Sequence, residues 1–212
     1  MKVTIFGATG ALGVECVAQC LEAGHEVTVL ARRPAKLAPA VRDQVRVVEG
    51  DGLRAEAVAE ALSGGVDAIL FAIGVDKRSP EDLCTEVTQH ILAAMPAMGV
   101  RRLVWCGGGG TFVADDQLSF GARFVEWFAR TFMGLRQRDK AHQLELLERN
   151  QAVEWIGVRP LQMRRGPRRG EYRLGFHRFS GFSRISFADC AHAMIRMLDE
   201  DTWLHKAPII QY

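Results

Sequence analysis

Apolar positions along the chain fall into two rhythms that alternate from the first residue to the last. Short, nearly continuous apolar runs at residues 3–6, 26–30, 45–48, 67–73, 102–106 and 153–158 have the length and β-branched content of strands covered on both faces. Between them lie segments with helical spacing, residues 11–23, 54–62, about 81–98 and 118–150, the last in two pieces divided near Gly134. Ser186, with Asp189 three residues on, is the N-cap of a final helix ending near Leu198, and a short strand over 208–211 closes the chain. Strands that alternate with helices predict an α/β fold with a doubly wound parallel sheet. Nothing in the pattern marks a linker or repeat, so residues 1–212 are expected to form one domain.

The first strand breaks at Gly7 into the turn Gly7-Ala8-Thr9-Gly10-Ala11-Leu12-Gly13, and a helix begins. Each glycine has a distinct task. Gly7 allows the sharp turn, Gly10 lets backbone approach a pyrophosphate, and Gly13 removes a Cβ where helix meets sheet. The phosphate would sit on the free N–H groups of the helix N-terminus, where the macrodipole favours an anion. A glycine triplet is a weak signal alone, but strand, turn, helix and second strand together make it a dinucleotide-binding βαβ unit of Rossmann type. After the second strand come Arg32, Arg33 and Lys36, with no acid between Val27 and Val41. An acid at this place accepts from the ribose 2′-hydroxyl of NAD, whereas arginine accommodates the extra phosphate, so NADP(H) is preferred over NAD(H). Asp51 stands where a loop could reach the adenine amino group, although Asp51-Gly52 also simply makes a turn.

Further along, strand five runs into four glycines, 107–110, followed by Thr111 and Phe112. Ligands in open parallel sheets bind at the carboxyl ends of strands, so this run is aimed at the ring end of the cofactor. Residues 118–133 carry more aromatics than one core-facing stripe needs. From Arg159 to Arg184 there are eight arginines and one acid, Glu171. Such a run is usually a solvated loop, but on the ligand edge it could recognise carboxylates or phosphates. The substrate-side elements are therefore expected at about 111–135 and 160–185.

Composition narrows the picture only a little. Apolar residues make up 48% of 212, the mean hydropathy is zero, and the net charge of +2 is too small to imply nucleic acid. The apolar runs are strand-sized, and the chain enters its first strand at once, so no membrane span or cleavable leader is expected and the cytoplasm is the expected compartment. Five cysteines without a CxxC pair read as reduced core residues, with no metal site and no disulfide framework.

Taken together, the glycine turn, Leu30-Ala31-Arg32-Arg33, Gly50-Asp51, Ile73-Gly74, Val158-Arg159-Pro160 and the Ile185-Ser186-x-Ala188-Asp189 ending resemble the atypical short-chain dehydrogenase/reductase group of NAD(P)H-binding proteins. That group includes NmrA-like proteins and the small flavin reductase/biliverdin-IXβ reductase. The resemblance spans nearly the whole chain. It implies phosphate contacts at Gly7, Thr9, Gly10, Ala11 and Leu12, 2′-phosphate contacts at Arg32 and Arg33 beside Lys36, and adenine contacts at Asp51 and Gly52. It also implies nicotinamide-side contacts at Ile73, Gly74, Cys106, Gly107, Gly108 and Pro160, with Phe112, Gln162 and Met163 on the substrate side. Two departures separate this chain from the flavin/biliverdin reductase: glycines replace a Thr-Ser-Ala sequence after the strand-five cysteine, and Gln162 stands in place of a histidine.

Ordinary short-chain dehydrogenases use a Tyr-x-x-x-Lys pair, in which lysine lowers the tyrosine pKa. Here the tyrosines are Tyr172 and Tyr212, and neither has a lysine four residues on. Hydride transfer to a flavin, quinone or tetrapyrrole needs mainly ring alignment, and its proton can come from water. The expected activity is therefore an NADPH-dependent reductase of a flat, conjugated, anionic acceptor. The alternative is a non-catalytic NADP(H)-binding regulator or redox sensor. Thr111, Lys140 and Arg159 are the candidates for a proton or polarising role, and the chain is expected to be a monomer or homodimer.

Overall fold

The computed structural model describes residues 1–76, 78–108, 111, 113–117, 134–176 and 183–212. Its frame is an eight-stranded sheet built from β1 (Lys2–Phe6), β2 (Glu26–Ala31), β3 (Arg46–Glu49), β4 (Ala68–Phe71), β5 (Arg102–Cys106), β6 (Glu154–Pro160), β8 (Arg173–Gly175) and β10 (Ile209–Gln211). The spatial order is β3-β2-β1-β4-β5-β6-β10-β8. Every pairing is parallel except that of β8, which runs antiparallel to β10 at one edge. The helices are α1 (Ala11–Glu22), α2 (Pro39–Arg42), α3 (Ala55–Ala61), α4 (Leu83–Met98), α5 (Gly134–Glu148) and α6 (Phe187–Arg196). This is the doubly wound α/β architecture that the alternation of strand and helix predicts.

Alternation along the strands divides the core between the two faces. Val3 and Ile5 of β1, Ala68 and Leu70 of β4, and Val104 and Cys106 of β5 pack under α1 and α6. Phe6, Ile69, Phe71, Leu103 and Trp105 point the other way, against α3, α4 and α5. Both faces are dry, so a polar side chain within the sheet needs a partner; Thr4, fully buried, donates its hydroxyl to the Ala61 carbonyl at the end of α3, 2.9 Å away. The helix stops follow local chemistry as well. Gly99 ends α4 in the left-handed conformation, φ 69°, which only a residue without Cβ adopts cheaply. Ser186 caps α6 by accepting from the Asp189 N–H at 2.9 Å.

The segment after β6 departs from expectation. The arginine-rich run, left open between a solvated loop and an anion-recognising element, overlaps β7 (Gln162–Arg164), β8 and β9 (Arg184–Ser186), with β7 and β9 paired in a small parallel sheet of their own. Several of the arginines there are occupied in holding the segment down. Arg168 forks onto Glu22 of α1 at 2.8 and 2.9 Å, Arg169 lies 4.8 Å over the Tyr212 ring, and Arg173 donates to the Tyr212 carbonyl at 2.9 Å. The aromatic stretch 118–133 lies outside the described residues. Among the described residues, no helix is long and apolar enough to cross a membrane, and no group of three or more His, Cys, Asp or Glu side chains could hold a metal ion.

Candidate cofactor site

The order of winding reverses between β1 and β4: the chain moves outward through β2 and β3 on one side and through β5 and β6 on the other. A crevice must open there at the carboxyl ends of the strands. It is a cavity of about 640 Å³. The glycine turn makes its floor. Gly7 has φ +87°, and a Cβ on it would lie 2.7 Å from the backbone of Ala72 and Ile73, so only glycine lets β1 leave the sheet this close to the end of β4. At Gly13 a Cβ would stand 2.1 Å from the Gly7 carbonyl oxygen, which fixes glycine where α1 crosses the turn. Gly10 caps α1 without a side chain, and the first turn of the helix holds no acid. The leading N–H groups of α1 are thus left for an external anion, at the positive end of the helix dipole.

Of the residues assigned to the cofactor from sequence, Gly7, Thr9, Gly10, Arg32, Arg33, Lys36, Asp51, Gly52, Ile73 and Gly74 line this one cavity. Ala11 and Leu12 form the first turn of α1 beside it, Ala11 exposed and Leu12 buried. The basic wall is not free of negative charge. Arg32 Nη1 lies 3.9 Å from Asp51 Oδ2, and Asp51 Oδ1 also accepts from the Leu53 N–H at 3.2 Å. Asp51 therefore makes the turn and faces Arg32 at once. With Arg32 65% exposed the pair is weak, and an incoming phosphate can take the guanidinium from it.

Sequence reading missed the opposite wall. Phe6, Leu30, Leu83 and Val87 supply an apolar slot, and Asp76, Arg78 and Ser79 stand at the rim. The Asp76 carboxylate accepts from the Arg78 N–H at 2.7 Å, which holds it below the usual carboxylate range, while the Ser79 hydroxyl accepts from the Asp76 N–H at 3.0 Å. The hairpin-like knot of short polar residues is the only sequence signal for it.

Past the cavity, at the ends of β5 and β6, the expected nicotinamide-side residues separate. Gly108 is open, with nothing within 4 Å of a built Cβ, as is Gly74. Gly107 has another reason to be glycine: a Cβ there would meet the Trp105 ring at 2.4 Å and Arg159 Cγ at 3.2 Å. Cys106 turns its thiol into the core, and Pro160 is buried within β6 opposite Ile210 of β10. Gln162 is exposed and accepts from Arg184 at 3.3 Å; Met163 packs against the core; Phe112 lies outside the described residues.

The three proton-donor candidates fare differently. Arg159 sits in an internal network. Its side chain is fully buried, and both guanidinium nitrogens bond Asp116, at 2.8 and 2.6 Å, while further donors meet the carbonyls of Thr111 and Ala207. Four of the five N–H donors of the fork are spent in this way, which fastens Thr111 and Asp116 to β6. Lys140 Nζ spends its donors on the carbonyls of Ile73 (3.4 Å) and Cys106 (3.1 Å) and on Gln143 Oε1 (3.2 Å). It ties together the ends of β4 and β5. Thr111 is 2% exposed, and its hydroxyl has no partner among the described residues.

Beside Lys140, Asp139 does work that sequence reading did not foresee. It is fully buried and accepts from Cys84 N at 2.9 Å, Thr85 N at 2.8 Å and Thr85 Oγ1 at 2.8 Å. A carboxylate on α5 thereby caps α4, whose own N-cap Asp82 makes no side-chain cap bond.

A family model described as NAD(P)H-binding matches residues 7–201. The uncharacterized protein YwnB of Bacillus subtilis strain 168 is 27% identical over 206 residues, covering 94% of this chain and 92% of its own. Among solved structures, a proposed epimerase from Bacteroides thetaiotaomicron has a TM-score of 0.82 at 26% identity, over 100% of this chain and 96% of its own. A proposed NADH-flavin reductase from Streptococcus pneumoniae has a TM-score of 0.76 at 22% identity, over 100% and 99%. The family match begins at the first glycine of the turn and ends beyond α6, and on that ground the protein belongs to the NAD(P)H-binding family.

Proposed function

We propose that the protein uses NADPH to reduce a flat conjugated acceptor, a flavin, quinone or tetrapyrrole. The observation that carries this reading is the joining, in one cavity, of an uncapped helix N-terminus with the basic wall of Arg32, Arg33 and Lys36. The α1 N–H groups, with Thr9 and Gly10, hold the diphosphate. Arg32 and Arg33 fork onto the 2′-phosphate, and Lys36 adds a point charge. The apolar slot of Leu30 and Val87 accepts the adenine, with Asp51 and Gly52 at its edge. Ile73, Gly74 and Gly108 flank the ring end, where bare backbone allows a second flat ring to approach. When bound, the reduced nicotinamide supplies the hydride. Lys140 keeps the two strand ends at a fixed spacing, and water supplies the proton, since Arg159 and Lys140 are both committed to internal partners. The fold shared with the pneumococcal protein supports a flavin-sized acceptor.

That commitment of both cations also favours a second reading, an NADP(H)-binding regulator that never turns the cofactor over. Steady-state oxidation of NADPH and of NADH with FMN, riboflavin and menadione separates them. The reductase predicts turnover with at least one acceptor and a kcat/KM at least about tenfold higher for NADPH, equivalent to roughly 1.4 kcal/mol. Saturable NADPH binding without turnover on any acceptor supports the regulator, and binding of neither nucleotide removes both.

A further inference from the structure

Asp51 carries a charge that its turn does not need. The backbone around it is pinned: Gly50 donates to the Ala31 carbonyl at 3.2 Å, Arg54 donates to the Asp51 carbonyl at 2.9 Å, and His90 Nδ1 of α4 stands 3.1 Å from the Gly52 carbonyl oxygen. Packing is tight on both sides, since a Cβ on Gly50 would lie 2.7 Å from that of Ala57 and one on Gly52 would lie 3.0 Å from Val87. The carboxylate is therefore held in place. Its Oδ1 accepts from the Leu53 N–H at 3.2 Å, a bond that an asparagine side chain makes equally well. What only aspartate adds is negative charge, and Oδ2 presents it to the basic wall, 3.9 Å from Arg32 Nη1. The sheet register explains the meeting. Ala31 at the end of β2 pairs with Glu49 at the end of β3, so Arg32 and the turn that carries Asp51 leave the sheet side by side. An acid that accepts from the ribose 2′-hydroxyl ordinarily stands at the end of the second strand; here an arginine stands there and the neighbouring strand brings the acid.

We propose that Asp51 is the specificity-determining counter-ion of this site: it pairs with Arg32 while the cleft is empty, opposes a 2′-phosphate, and accepts from the 2′-hydroxyl of an unphosphorylated nucleotide. The inference deepens the proposed function and rests on it for the identity of the nucleotide. A dianionic phosphate entering here draws the guanidinium off the carboxylate and then sits beside a fixed anion, so part of the attraction of Arg32, Arg33 and Lys36 is offset by like charge. A ribose hydroxyl has no charge to repel. It donates to Asp51 Oδ2 and accepts from Arg32, and the ion pair stays intact. Three cations favour NADPH and one carboxylate narrows the margin, so the protein prefers NADPH yet retains NADH. An adenine contact at Asp51 makes the opposite forecast, because removing its charge would then weaken both nucleotides alike.

The test is Asp51→Asn, which keeps the bond to Leu53 and removes the charge, read by calorimetric titration of the full chain with NADPH, NADH and adenosine 2′,5′-bisphosphate, which has the phosphates but no nicotinamide. NADPH and the bisphosphate are expected to bind about three- to tenfold tighter than to the unchanged protein, the scale of one partly exposed charge pair felt by a dianion, with NADH unchanged or weaker. The gain should fall by at least about half between roughly 0.1 and 1 M NaCl, as the screening length shortens from about 10 Å to 3 Å. Asp51→Ser, whose hydroxyl can also accept from the Leu53 N–H, should give the same signs. Equal weakening of NADPH and NADH returns Asp51 to the adenine. Equal tightening of both, no change in either, or a gain that survives high salt overturns the counter-ion. NADPH that binds without a selective gain overturns this inference and leaves the reductase untouched. A selective gain in a protein that oxidises NADPH with no acceptor sinks the reductase while the counter-ion stands, and absence of binding by NADPH and the bisphosphate in both proteins removes the two together.

Discussion

Replacing Asp116 by Ala tests whether Arg159 is a structural or a chemical residue. Arg159 and Asp116 have side-chain exposures of 0% and 2%, and the pair is bidentate. Removing the carboxylate leaves a guanidinium sealed from water with only the Thr111 and Ala207 carbonyls for company. Breaking a buried pair from one side costs about 3–5 kcal/mol, because the remaining charge is uncompensated. With an m-value of roughly 3 kcal/mol per molar for urea, the unfolding midpoint falls by about 1–1.7 M. The four tryptophans give a fluorescence signal for the transition, and circular dichroism at the same denaturant concentrations checks that it is two-state. The double variant Arg159→Met with Asp116→Leu removes both charges, and its loss should be clearly smaller than the sum of the two single losses. A midpoint that stays within about 0.3 M in Asp116→Ala, together with collapse of NADPH oxidation in Arg159→Met, would refute the structural assignment and return Arg159 to the chemistry.

Arg32→Ala is expected to weaken NADPH by roughly 1.5–3 kcal/mol, the scale of one charged hydrogen-bonding contact, and to leave NADH nearly unchanged; isothermal titration with both nucleotides reads this, and equal losses would remove the 2′-phosphate contact. Gly13→Ala forces a methyl to within 2.1 Å of the Gly7 carbonyl, so thermal unfolding should show a loss of at least about 1–3 kcal/mol together with weaker binding of either nucleotide. Asp139→Ala uncaps α4 from a distance and should cost about 1–2 kcal/mol in urea unfolding, with faster amide exchange at Cys84 and Thr85. Burial raises the Asp189 carboxyl, but bonds from Tyr212 (2.6 Å), Gly170, Arg169 and Ser186 outweigh it and hold the group below the usual range. Its contribution to stability is then complete above the unfolded value of about 3.9 and is lost as pH falls through the lower native one. The melting temperature of Asp189→Asn should accordingly lie below that of the unchanged protein at neutral pH and approach it below about pH 4.

What could be read from the chain in advance was whatever is written locally. The strands announce themselves because both faces are dry, Gly13 because the Gly7 and Ala8 backbone it crosses lies within a few residues, and Ser186 because its partner Asp189 is three residues away. The interactions that escaped reading have distant partners and no periodic trace. Asp139 meets Cys84 across 55 positions and Arg159 meets Asp116 across 43. Gly107 was legible as a glycine but not as one forced by the Trp105 ring, and nothing in an arginine-rich stretch reveals that Arg168 reaches back to Glu22. Half of the candidate site obeys a motif and was found from it; the apolar wall of Leu83 and Val87 belongs to no motif and appears only when α4 is laid against the strand ends.

The adjacent pair Asp139 and Lys140 also sets an order of assembly. A ribosome that has delivered residues 1–106 has made β1 to β5, yet neither the amide ends of α4 nor the carbonyl ends of β4 and β5 have found their closing partners. Those arrive together, on a single turn of α5, 67 positions after Ile73. The nascent nucleotide cleft must therefore wait, its rim unlocked, until one late helix delivers an acid and a base in consecutive codons.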